Sequence, residues 1–107
     1  MENANALIRR MPAAFKPEAA GNLSLRIVYA IEHPMTVIVE HGMCRVMDGA
    51  IDAPDVVLKI RDDHLVKLMT GKMMGLTAFA TGKLKVQGDY SLAAKIQDIF
   101  DRKQLNN

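Results

Sequence analysis

Two histidines and one cysteine gathered in a short stretch are the first place to look for chemistry. His33, His41 and Cys44 fall within twelve residues, a cluster from which a metal site or an activated thiol could be built. No fourth ligand stands at the short paired spacing that zinc sites use. The alternation around Cys44 puts its thiol on the same side as Val46, so it reads as core rather than as a nucleophile. Asp62 and Asp63 are adjacent carboxylates, the residue type of general acid and base pairs. Standing directly before a helical pattern, they read as helix caps. Thr70-Gly71-Lys72 and Thr81-Gly82-Lys83 contain the Gly-Lys pair of a phosphate loop but lack both the upstream glycine and the hydroxyl after the lysine. Ser24 and Ser91 have no Gly-x-Ser-x-Gly elbow. Lys59, Arg61, Lys83 and Lys85 form a basic stripe without the interleaved aromatics on which bases stack. The chain carries 14 Lys and Arg against 12 Asp and Glu, a net charge of +2, too weak a field to favour nucleic acid. The expectation is a protein that is not an enzyme, with no catalytic residues, no metal and no cofactor.

The elements that hold these residues follow from periodicity. Leu7, Ile8, Met11 and Phe15 recur at helical spacing from Asn5 to Phe15, interrupted by Pro12, and predict a short kinked amphipathic helix. Leu23, Leu25, Ile27, Tyr29 and Ile31 alternate with Ser24, Arg26, Val28, Ala30 and Glu32 and predict a first strand. Met35, Val37 and Val39 mark a second strand, Cys44 to Met47 a third, and Val56, Leu58 and Ile60 a fourth. A helix follows whose inner face is Leu65, Val66, Leu68 and Met69, ended by Gly71. A shorter helix, anchored by Leu76 and Phe79, is ended by Gly82. Leu84 and Val86 mark a fifth strand. Leu92, Ala93, Ile96, Ile99 and Phe100 are the apolar face of a last helix. One sheet face is polar, so helices must cover the other. The fold expected is α+β, a two-layer domain over residues 1–107, with a five-stranded, mostly antiparallel mixed sheet. The roughly twenty residues between strands four and five are long enough for a helical crossover, so one pair of strands is open to being parallel; strand order is left open.

Of the 107 residues, 50% are hydrophobic and 24% charged, with eight Met, no Trp and one Cys. No apolar run is long enough to span a bilayer, and the first residues lack the basic and apolar regions of a secretory signal, so a soluble cytoplasmic protein is expected. The lone cysteine fits a reducing compartment. Flexible apolar side chains concentrate between Leu65 and Phe79. Met73, Met74 and Leu76 lie between two helices where polar residues are usual, which points to an adaptable lipid-facing wall.

These residues carry a family resemblance. The run Asp55-Val-Val-Leu-Lys-Ile-Arg-Asp-Asp-His-Leu-Val-Lys-Leu-Met-Thr-Gly-Lys-Met73, then Ala78-Phe79, Gly82-Lys-Leu-Lys-Val-Gln-Gly88 and Tyr90-Ser-Leu-Ala-Ala-Lys95 resembles the sterol carrier protein type 2 domain. The match is strongest from Asp55 to Phe100; upstream it rests on element order. The resemblance implies an apolar tunnel between sheet and helices for fatty acids, acyl-CoA, sterols or polyprenyl-like lipids, and it brings no catalytic residues. Where the family commonly has Asn-Pro-Gln and then a Phe pair, this chain has Met74-Gly75-Leu76 and Phe79-Ala80, which shifts the wall toward smaller or more apolar groups. The ending Leu105-Asn106-Asn107 is not a peroxisomal tripeptide.

The expected function is non-catalytic binding and carriage of a lipid. The expected lining is Leu65, Leu68, Met69, Met73, Met74, Leu76, Phe79, Ile96 and Phe100. An empty 500 Å³ cavity would cost about 12 kcal/mol at roughly 24 cal/mol per Å³, comparable with a whole domain's stability. An unliganded site is therefore expected to be collapsed, hydrated or occupied. The N-terminal helix, through Arg9 and Arg10, is the expected membrane contact. The alternative is an accessory domain that docks on a lipid-metabolising enzyme through Val28, Ile38 and Val57.

Overall fold

The structure, a computed structural model, describes residues 3–106. Asn3 opens helix α1 (Ala4–Arg9), its side chain accepting the Ala6 N–H at 2.8 Å. Pro12 has no N–H, and its ring would meet the carbonyl four residues back. The single kinked helix expected over Asn5 to Phe15 therefore divides at Arg10 and resumes as α2 (Met11–Ala14). One further turn, α3 (Pro17–Ala20), ends at Gly21.

Five strands follow: β1 (Leu25–Ala30), β2 (Met35–Glu40), β3 (Met43–Asp48), β4 (Val56–Ile60) and β5 (Leu84–Gly88). Their order across the sheet is β3-β2-β1-β4-β5. Only β1 and β4 run parallel, with Ile27 opposite Val56 and Tyr29 opposite Leu58; the other neighbours are antiparallel. His41 (φ 53°) and Gly42 (φ 71°) form the two-residue turn between β2 and β3, the arrangement with both central φ positive that a twisted hairpin prefers. His41 is thus a turn residue.

The parallel pair does not come from the helical crossover between β4 and β5, which joins antiparallel neighbours. It comes from residues 49–55, which leave the far end of β3 and enter the near end of β4. Hydrogen bonds from Gly49 N to Pro34 O and from Asp55 N to Arg26 O tie down the two ends of this strap. Three strand spacings sideways and about four residues lengthwise come to roughly 20 Å, within reach of seven extended residues. The strap crosses the sheet face that the helices leave bare: Thr36 on that face donates its hydroxyl to Gly49 O at 2.8 Å, and Thr36, Val28 and Ile38 are buried. The face expected to be polar and open is therefore partly closed by the chain itself.

The opposite face carries the helices. Helix α4 (Asp62–Met69) and the short α5 (Gly75–Ala80) precede β5; α6 (Tyr90–Ile99) and α7 (Arg102–Asn106) follow it. Leu25, Ile27, Met35, Val37, Val39 and Val56 from the sheet pack on Leu7, Ile8, Leu65, Ile99 and Leu105. The two Thr-Gly-Lys triplets are helix ends. Gly71 and Gly82 take φ +80° and +77°. Lys72 N bonds to Lys67 O and Gly71 N to Leu68 O, and Lys83 N to Ala78 O and Gly82 N to Phe79 O, two copies of the Schellman pattern. Asp62 is not a cap. The α4 cap position is Arg61, without a side-chain bond, and Asp62 instead accepts the Glu32 N–H at 3.0 Å, tying α4 to the β1–β2 turn.

Helix α5 departs most from its sequence reading. Its two large residues were expected to anchor it inward, yet Leu76 and Phe79 are exposed while Ala78 is fully buried. The short helix lies against the edge strand β5 with its small residue Ala78 turned inward.

Candidate functional site

The helical layer does not close completely over β4 and β5. A cleft of about 140 Å³ remains there. Tyr29, Leu58, Leu84 and Val86 from the sheet form its floor. Leu65, Leu68 and Met69 of α4 form one wall, and Ala93, Ile96 and Phe100 the other; Met11 and Leu105 complete the lining. Gly75, Gln97 and Arg102 also border it.

Two features set this cleft apart from ordinary core. Leu68, Leu84, Val86, Ala93 and Ile96 are only half-buried although they face one another. Apolar side chains left in this state retain the free energy of a burial not yet made, about 25 cal/mol for each Å² still open. In addition, the Arg102 guanidinium borders this apolar space and has neither an ion-pair nor a hydrogen-bond partner among the described residues. An unpaired cation beside hydrocarbon suits an anionic head on an alkyl chain.

The far wall is fastened by the N-terminal segment. Lys16 N bonds to Ile99 O at 2.8 Å and Asp101 N to Ala14 O at 2.8 Å, with the rings of Phe15 and Phe100 5.7 Å apart. This antiparallel clip holds the end of α6 while its first turns remain half-exposed. Asp89 caps α6, accepting N–H groups of Ser91 and Leu92 and the Ser91 hydroxyl. Those bonds, the Ser91 hydroxyl foremost, hold its carboxyl below the ordinary carboxylate range.

Of the nine lining residues expected from sequence, the structure brings together Leu65, Leu68, Met69, Ile96 and Phe100. Met73, Met74, Leu76 and Phe79 lie outside the cleft: α5 turns Leu76 and Phe79 to the surface, Met74 before it is exposed, and Met73 is half-buried elsewhere. Sequence reasoning missed the floor residues Leu58, Leu84 and Val86, whose strand alternation marked them as inward, and also Met11 and Arg102. Arg102 carried no signal beyond its charge.

The other sequence candidates are dispersed. Among the described residues no three His, Cys, Asp or Glu side chains are grouped to hold a metal. Burial pushes the Cys44 thiol up to about 11, which disfavours the thiolate. Burial, then the nearby Cys44, raises Tyr29 well above the ordinary phenol value. Lys59, Arg61, Lys83 and Lys85 border a broad open hollow of about 740 Å³ over Ala30. Its cations are interspersed with Glu32, Asp62 and Asp63, and Arg61 is paired with Asp63 at 3.2 Å. The hollow is larger than the cleft but has a mixed, solvated rim. Of the docking face expected at Val28, Ile38 and Val57, Val28 and Ile38 are buried and Val57 is half-buried. The apolar side of the N-terminal helix is spent in the core, where Leu7, Ile8 and Met11 are buried; Arg9 pairs with Asp48 at 3.1 Å and Arg10 bonds to Leu105 O.

Comparison with known proteins gives a consistent picture. The profile of the SCP-2 sterol transfer family matches residues 4–101. Sterol carrier protein 2 of Bos taurus is 38% identical over 68 residues, 64% of this chain and 12% of that protein. The chain thus spans about an eighth of the length of that relative. Among solved structures, palmitated SCP2L2 from Aedes aegypti superposes with a TM-score of 0.72 at 20% identity, covering 99% of this chain and 96% of the other. The sec-alkylsulfatase Pisa1 from Pseudomonas sp. gives 0.78 at 17% identity, covering 85% of this chain and 15% of the other. At these identities the superpositions speak to fold.

Proposed function

This chain belongs to the SCP-2 sterol transfer family, and from that premise we propose that it binds and carries a single-chain anionic lipid, a fatty acid or a close acyl relative. The alkyl chain occupies the cleft between β4–β5 and the α4 and α6 walls, and the head meets Arg102. The observation that carries this reading is the cleft itself: half-buried aliphatic side chains from two layers facing one gap, with one unpaired guanidinium beside it. The palmitated state named for the Aedes aegypti relative is consistent with an acyl guest in this fold.

The cleft volume of about 140 Å³ matches the roughly 150 Å³ that admits one benzene. A long acyl chain therefore requires the walls to part. Leu68, Met69 and Met11 offer flexible side chains for that. A narrow cleft avoids the cost of a large void. A C16 chain leaving water gains about 12 kcal/mol at roughly 0.8 per methylene, but it gains nearly as much in a bilayer. Exchange with a membrane is then close to balanced, which suits reversible carriage. No catalytic step belongs to this reading.

The test is native mass spectrometry of untreated protein together with displacement of a fluorescent fatty acid. A bound acyl mass or saturable displacement is expected, and Ile96→Glu, which puts a charge into the gap, should abolish both. The absence of both from the wild-type protein would refute the reading. A working association with an enzyme is a second reading. It is supported by the sec-alkylsulfatase, an enzyme of whose chain the matching part is 15%.

A further inference from the structure

The surface beside the cleft is unusual in both polarity and charge. Met74, Leu76, Phe79 and Tyr90 are 67%, 76%, 46% and 60% exposed. Leu76 and Phe79 are three apart and so share one face of α5. The Phe79 ring meets Tyr90 edge-on with centroids 6.1 Å apart, which joins α5 and the first turn of α6 into one patch. Residues 73–81 contain no charge. Soluble proteins seldom leave such contiguous apolar surface open without a partner for it.

The charges around the patch identify that partner. From residue 64 to residue 88 the chain carries four lysines, Lys67, Lys72, Lys83 and Lys85, and no carboxylate, although the whole protein has a net charge of only +2; Asp89, beside Tyr90, is engaged in capping α6, and Lys83 and Lys85 also border the hollow that holds Glu32, Asp62 and Asp63. Lys72 and Lys83 flank the uncharged stretch at its two ends. Exposed aliphatic and aromatic side chains framed by lysines are what an interfacial helix presents to an anionic bilayer, where the apolar groups enter the acyl boundary and the ammonium groups meet lipid phosphates. A tyrosine beside them suits the same interface. Gly75, the first residue of α5, borders the cleft, so the patch and the cleft are continuous.

We propose that α5, Tyr90 and the flanking Lys72 and Lys83 are the surface with which this protein docks on anionic membranes, setting the Gly75 edge of the cleft against the lipid. The proposal gives the carrier reading above its route of loading and rests on that reading for its purpose, but its own test is separate.

The experiment is sedimentation of the full chain with phosphatidylcholine vesicles, with and without phosphatidylglycerol. Wild-type protein should sediment with the anionic vesicles and be released by salt. The paired substitution Leu76→Ser with Phe79→Ser should reduce partitioning at least about ten-fold, as should Lys72→Glu with Lys83→Glu. These positions are exposed, and circular dichroism should show the fold retained. Fatty-acid displacement without vesicles should be unchanged in the Ser pair, because neither residue lines the cleft. Wild-type protein that ignores anionic vesicles, or variants that bind them equally well, would overturn the proposal. So would a wild-type dimer in sedimentation velocity that the Ser pair dissociates, since the patch would then join two copies. Vesicle binding without fatty-acid binding would keep the docking surface and refute the carrier reading; fatty-acid binding without vesicle binding would do the reverse.

Discussion

Gly75 and Gln97 face each other across the edge of the cleft, so closely that a Cβ on Gly75 would stand 3.1 Å from Gln97 Nε2. The neighbour is the end of a flexible side chain, which can give way. Gly75→Ala should therefore be tolerated, since alanine favours the first turn of α5 by up to about 1 kcal/mol. Gly75→Leu adds a branched side chain beside a gap of only about 140 Å³. It should slow fatty-acid uptake at least about ten-fold, at an overpacking cost of about 1–3 kcal/mol. Stopped-flow binding of a fluorescent fatty acid to the two variants checks the contrast. Equal rates would move the entrance elsewhere.

Arg102 tests head-group selection. If its guanidinium meets the carboxylate, Arg102→Gln should lower affinity for a fatty acid about ten-fold and leave a fatty alcohol of the same length unaffected. Competition binding with the acid and the alcohol measures this directly. A parallel loss for both ligands would mean that Arg102 serves packing instead.

Much of this was legible in the sequence, and the parts that were not have physical reasons. Period-two alternation identified Leu25, Ile27 and Tyr29 as inward, because on a one-sided sheet parity fixes the face. Gly71 and Gly82 announced helix ends because αL positions select glycine. Helical spacing marked Leu65, Leu68, Met69, Ile96 and Phe100 as inward-facing; that they border a cleft was an expectation from the family resemblance. The orientation of α5 was not legible: Leu76 and Phe79 satisfy the same spacing whether they face in or out, and in the structure it is Ala78 that faces in. The strap was also hidden. Its course depends on strand order, which no local pattern encodes, and with it went the openness of the Val28 and Ile38 face.

Gly88 stands where β5 ends beside the start of β4. Its φ is +101°, and a Cβ there would run into the carbonyl oxygen of Asp55, the oxygen that also accepts the Asp89 N–H. Neither backbone group can swing aside as a side-chain tip can. Gly88→Ala should therefore cost at least about 2 kcal/mol. Urea denaturation would measure it. A loss below about half a kcal/mol would show that the β4–β5 end can relax.

Cys44 gives the last prediction, in which reactivity and stability are governed by one shift. Its thiol is raised from an ordinary 9.0 to about 11 by burial on the helical face of the edge strand β3. At pH 8 the thiolate fraction is then about a hundred-fold smaller than for a free thiol. The higher intrinsic nucleophilicity of a more basic thiolate offsets part of this, so alkylation should run about ten-fold slower than for a free cysteine. The same shift fixes the sign of its pH dependence. The folded state favours the protonated thiol, so the contribution is complete below pH 9 and is lost as the pH rises toward 11, where the unfolded chain has released its proton and the folded one has not. Cys44→Ala should remove this alkaline slope, leaving any that Tyr29 adds at higher pH. Melting curves from pH 8 to 11 for the two proteins, with maleimide rates over the same range, check both consequences. Rapid labelling at pH 8 would mean that β3 exposes the thiol more than its packing against the core indicates.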